Sequence, residues 1–180
     1  MILTYKEALN KYKNAYQINK KIQVGELYKI EDGIYSDRKY LSELEILVKK
    51  YPKTILSGEN AFYAHDLTDV IPEDYCLVTS QSAAPIRDSR VRQVYERNRL
   101  LELGTISMTI DGAEIRIYDK ERMLIELLRN KNKLPYDYYK EIIYKYRQII
   151  NTLDLRRIQE YAEIFPKSGF IKRALDEEVL

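Results

Sequence analysis

Residues 14–37 read NAYQINKKIQVGELYKIEDGIYSD, a string that can fold into little but a short amphipathic helix running straight into a tight hairpin. Asn14 is an N-cap residue. Gln17, three places on, sits where its amide can reach back to the cap. Ala15, Ile18 and Ile22 recur at helical spacing and mark the inward stripe. Gly25 follows as the left-handed residue that ends a helix. Residues 27–30 read as a strand, Asp32-Gly33 as the turn and 34–36 as the return strand. Upstream, Thr4 and Glu7 form a capping box for a helix ending near Tyr12. That helix, the Lys13-Asn14 turn and the next helix make a helix-turn-helix pair.

The other helix positions face outward: Tyr16, Asn19, Lys20 and Gln23 on the far side, Gln17 and Lys21 on its flanks. Asn and Gln amides can pair with two atoms of an adenine edge, and Lys reaches guanine or phosphate. A basic helix followed by a two-stranded wing is how winged helix-turn-helix modules meet duplex DNA. The candidate DNA contacts are Lys13, Tyr16, Gln17, Asn19, Lys20, Lys21, Gln23 and, on the wing, Lys29. Lys6 and Lys11 are further candidates for phosphate, each contact adding about 0.9 to the salt slope of binding. The plain alternative is a solvated basic helix that touches no nucleic acid.

Charge distribution sharpens this. The net charge is only +2, but residues 1–53 hold 11 Lys/Arg against 7 Asp/Glu, and residues 54–118 hold 6 against 10. The basic excess lies partly on the module with the outward amides. The 17 tyrosines are scattered along the whole chain and form no stacking platform. With 180 residues the chain has room for a small module and a larger domain. No run approaches a membrane span, and MILTYKEALN lacks the basic and apolar regions of a secretory leader. A single Cys76 excludes an internal disulfide. A cytoplasmic protein without membrane contact is expected.

Beyond residue 37 the pattern is mixed. Ser42 and Glu45 form a second capping box, opening a helix that runs to Lys50 over Leu44, Leu47 and Val48. Residues 54–56 read as a short strand, and Ser57 caps a helix that runs to His65. Residues 75–79, 91–95, 105–110 and 114–118 read as strands, the last two joined around Asp111-Gly112. Asp119 caps a helix through Arg129, and helical stripes continue behind Pro135, through Phe165 and after a Ser168 cap. The expected fold class is therefore α+β. A shortened winged helix-turn-helix over 1–37 precedes a mixed α/β domain over 38–180 that ends in a helical bundle.

No phosphate loop, Gly-x-Ser-x-Gly or Cys-x-x-Cys is present, and no cofactor is implied. His65 and Cys76 have no metal-ligand spacing around them. Asp119, Glu121 and Arg122 are explained by a helix cap, a first-turn acid and a helix anchor. A rival reading makes the chain a small metal-dependent nuclease, with Asp111, Glu114, Asp119 and Glu121 around magnesium. A third makes it a protein-interaction module that no longer binds DNA.

Three strings, GELYKIEDGIYSD (25–37), YPKTILSGENAFYAHDLTD (51–69) and IRIYDKERMLIELLR (115–129), occur in this order. With these spacings the chain resembles the AbiEi-type antitoxins of type IV toxin–antitoxin systems, the abortive-infection regulators of bacterial phage defence. The resemblance implies a non-enzymatic protein with two roles. Its winged helix would bind operator inverted repeats and repress its own operon. Its C-terminal domain would neutralise a cognate nucleotidyltransferase toxin. Carried over by position, the DNA contacts fall on Tyr16, Gln17, Asn19, Lys20, Lys21 and Lys29. The family's fuller winged helices carry another helix first, whereas here three residues precede Thr4. A monomer in solution is expected, with a second copy joining on DNA as the way a shortened module could gain affinity.

Overall fold

Main-chain packing divides the protein, described over residues 1–180 by a computed structural model, into two compact units. One is Met1–Lys53 with Thr109–Ile115; the other is Thr54–Met108 with Arg116–Leu180. The first unit thus runs past the 1–37 stretch expected to form the N-terminal module, taking in a third helix and the tip of a later hairpin.

The first unit begins β1 (Ile2–Thr4), α1 (Tyr5–Tyr12), α2 (Ala15–Gln23), β2 (Tyr28–Glu31), β3 (Ile34–Ser36) and α3 (Glu43–Lys50). Both capping boxes form. Thr4 Oγ1 accepts from the Glu7 N–H at 3.3 Å while the Glu7 carboxylate accepts from the Thr4 N–H at 2.7 Å. Ser42 and Glu45 repeat the exchange at 3.2 and 2.9 Å. Each satisfies orphan amides that the first helical turn would otherwise leave bare. Lys13 takes a φ of 72° between α1 and α2, and the Asn14 side chain then accepts from the Gln17 N–H at 2.9 Å. Gly25, at φ 74°, turns the chain out of α2.

The hairpin forms as expected, with Gly33 at φ 79° in its turn. Strand β1 was not legible. It pairs antiparallel with β3, placing Leu3 opposite Tyr35, so the small sheet runs β1-β3-β2. Ala8, Ile18, Leu27 and Tyr35 are buried beneath this sheet and helix pair, with Leu3, Leu9, Tyr12 and Ile22 packed against them. Each large side chain so buried contributes about 1.5–3 kcal/mol. Ala15, expected inward, is exposed. It is the first residue of α2, and Ile18 and Ile22 carry the stripe without it.

The second unit contains β4 (Ile55–Leu56), α4 (Gly58–Ala64), β5 (Tyr75–Ser80), β6 (Val91–Glu96) and α5 (Asn98–Leu101). There follow the hairpin β7 (Thr105–Ile110) and β8 (Ala113–Tyr118), then α6 (Lys120–Arg129), α7 (Tyr136–Ile149), α8 (Leu155–Ile164) and α9 (Ser168–Glu178). The strand order is β6-β5-β4-β8-β7. Strand β4 is antiparallel to β5 and parallel to β8, and β5 is parallel to β6. Helix α6 is the centre of this unit: Met123, Leu124, Ile125, Leu127 and Leu128 are fully buried, and α8 and α9 pack on it. Ser168 does not cap the last helix. Lys167 occupies the cap at φ 64°, following Pro166, and Ser168 is the first helical residue. The protein is a mixed α+β fold, and no helix is long and apolar enough to cross a membrane.

A candidate nucleic-acid interface

The stripe that buries Ile18 fixes what α2 shows on its other side. Tyr16, Gln17, Asn19, Lys20 and Gln23 are all exposed, Tyr16 at 72%. A large aromatic so exposed on a nine-residue helix contributes nothing to the core and is available to a partner. Lys13, at the corner between the two helices, is exposed as well. The far side of α2 therefore presents a phenol, two amides and an ammonium group together, with the Gln17 amide on its flank and the Lys13 ammonium at the preceding corner. The β2–β3 hairpin follows α2 directly, with Lys29 on its outer surface.

Two of the expected cations are engaged within the unit. Lys21 Nζ lies 2.5 Å from a Glu26 carboxylate oxygen, and Lys29 Nζ lies 2.6 Å from Asp32. These partners hold both ammonium groups more firmly charged than usual and lower the Asp32 carboxyl. They also halve the free positive charge the face would otherwise offer. Glu26 and Asp32 were missed as modulators because their pairing depends on how the chain leaves α2 and turns the hairpin. A signal existed for the wing, where Lys29 and Asp32 stand three residues apart. Lys39 and Tyr40 form a further exposed pair in the same unit, the ammonium 5.4 Å from the ring centroid.

The carboxylates once grouped around magnesium do other work. Asp111 has a φ of 49° in the β7–β8 turn, and Glu114 is an exposed strand residue. Asp119 is the buried N-cap of α6: it accepts from the Arg122 N–H at 2.7 Å and from the Tyr161 hydroxyl at 3.2 Å. Burial raises its pKa. Glu121 accepts from the Asp154 N–H at 2.9 Å. No group of three or more His, Cys, Asp or Glu side chains is arranged to hold a metal ion. His65 is buried, its Nε2–H donating to the Tyr118 carbonyl at 2.7 Å, and burial lowers its pKa. Cys76 is a buried thiol pushed up to about 12 by desolvation, so it is not a nucleophile at neutral pH.

No protein-family model matches the chain, and no curated protein does. Its fold is similar to that in the crystal structure of the RV2827C protein from Mycobacterium tuberculosis. The two superpose with a TM-score of 0.67 over 98% of this chain and 71% of that one, at 10% sequence identity. At that identity the likeness is one of fold.

Proposed function

We propose that the first unit is a winged helix-turn-helix that binds double-stranded DNA, with α2 as the reading helix and the β2–β3 hairpin as the wing. On the resemblance drawn from the sequence, the chain is an AbiEi-type antitoxin of the bacterial cytoplasm. It would repress its own operon through operator inverted repeats and neutralise a cognate nucleotidyltransferase toxin through its second unit. The observation that carries the DNA half is the exposed row Tyr16, Asn19, Lys20 and Gln23, flanked by Gln17, on the side of α2 opposite the buried Ile18. Amides, phenol and ammonium on one narrow face match the mixed base-edge and phosphate chemistry of a major groove. Gel retardation of the chain's own upstream DNA tests it. Removing Lys20 should weaken binding to all sequences alike, whereas Gln17→Ala should relax base preference. Absence of retardation at low salt would end the DNA reading. The toxin half is tested separately, by co-purification with the product of a neighbouring nucleotidyltransferase gene.

The Lys21–Glu26 and Lys29–Asp32 pairs favour a second reading, in which this face docks a protein and has given up DNA. Under it, binding to a partner protein persists while DNA is never retarded.

A further inference from the structure

A cavity of about 520 Å³ opens in the second unit on the face of the sheet beside β6. Its floor is Cys76 and Val78 of β5 with Arg92, Val94 and Glu96 of β6, paired in register. Phe62, Met123 and Tyr138 wall it with apolar surface.

Its two ends differ in charge. Arg92 pairs with both Glu59 and Asp74, leaving one negative charge in excess. At the other end Glu96 and Glu126 face Arg122 and Arg129, and Lys133 adds a further positive charge. Arg92 and Glu96 are four residues apart on one strand, about 13 Å at the rise of an extended chain.

The same strand is an edge. Strand β6 pairs with β5 on one side and with no strand on the other. Tyr75 N–H donates to the Arg90 carbonyl at 2.8 Å, which in a parallel ladder turns the main-chain groups of Arg92, Val94 and Glu96 toward β5. Those of Gln93 and Tyr95 then face away from the sheet. Between the charged Arg92 and Glu96, Val94 and Tyr95 are 38% and 45% exposed, so the middle of the edge is apolar.

We propose that β6 receives an extended segment of a partner protein as an added antiparallel strand. Its alternate side chains would enter the slot in the order acidic-x-apolar-x-basic. The acidic residue lies toward Lys133 and Arg129, the apolar one beside Val94, and the basic one toward Glu59. Main-chain bonding supplies affinity and the slot supplies selection, as strand addition does generally. Every residue named belongs to the second unit, so the proposal stands apart from the DNA reading.

The test is selection of displayed random peptides of about nine residues, enough to span a six-residue strand, on the immobilised full chain. Enrichment of the acidic-x-apolar-x-basic pattern is expected. Tyr95→Pro removes an amide that points away from β5 and should weaken the selected peptides about tenfold, with the thermal midpoint retained. Val94→Glu, which places a charge on the slot floor, should do the same and serves if the proline variant fails to fold. No shared pattern, or equal binding by both variants, overturns the proposal. So does a concentration-dependent dimer lost in Tyr95→Pro, which would make the occupant a second copy of this chain.

Discussion

Arg122 gives the structure its most quantitative claim about stability. Its side chain is fully buried. It lies 2.8 Å from Glu126 and 3.3 Å from Glu96, and Nη1 donates to the carbonyls of Leu100 and Leu103 at 2.8 and 3.1 Å. Its guanidinium carbon sits 4.3 Å from the ring centroids of both Tyr118 and Phe165. Arg122→Met keeps volume and removes the charge. Glu96 and Glu126, 12% and 17% exposed, then share Arg129 as their remaining ion-pair partner. Breaking a buried pair in this way costs about 3–5 kcal/mol. For a chain of this size each kcal/mol moves the midpoint by about 2–4 °C, so thermal unfolding followed by circular dichroism should fall by about 6–20 °C. Adding Glu96→Gln and Glu126→Gln should recover most of it at neutral pH. A shift under about 2 °C for Arg122→Met, or no recovery in the triple variant, would refute the reasoning.

Three further outcomes follow from the same geometry. Glu26→Gln with Asp32→Asn frees Lys21 and Lys29, and should steepen the salt dependence of DNA binding by up to about 0.9 for each phosphate gained; anisotropy titrations at several salt concentrations read this directly. Cys76 should not react with a disulfide reagent at pH 8 until the protein is denatured, because its thiol is buried and held at about 12. His65 is neutral in the fold with its pKa below the ordinary 6.5, so its contribution is present above that value and is lost as the pH falls through the lowered one. His65→Gln should flatten that acid limb in urea titrations across pH.

Where the sequence carried local chemistry, the fold was legible. Thr4 with Glu7 and Ser42 with Glu45 each name their helix start, and both boxes close. Asp119 names α6, which ends at Arg129 as expected. The hairpin turn at Asp32-Gly33 was equally plain. What failed was non-local. Strand β1 is three residues whose strand character comes only from β3, more than thirty residues away. The sheet order puts β4 between β5 and β8, a crossing that no hydrophobic period records. Ser168 was the favoured cap by residue type, but the chain leaving Pro166 puts Lys167 there instead. On the candidate interface, the exposure of Tyr16, Asn19 and Lys20 was readable from the helical period. The neutralisation of Lys21 by Glu26 was not, because it bridges the end of α2.

If α2 reads DNA, the face that carries Tyr16, Asn19 and Lys20 must make the contact. The wild-type chain and the variant Tyr16→Ala, Asn19→Ala, Lys20→Ala are compared for retardation of the upstream duplex over a range of salt. All three residues are exposed and outside the core, so folding should be unchanged by circular dichroism. The account predicts salt-sensitive, sequence-dependent retardation by the wild type, abolished in the variant. Equal retardation by both, or none by either, would contradict it.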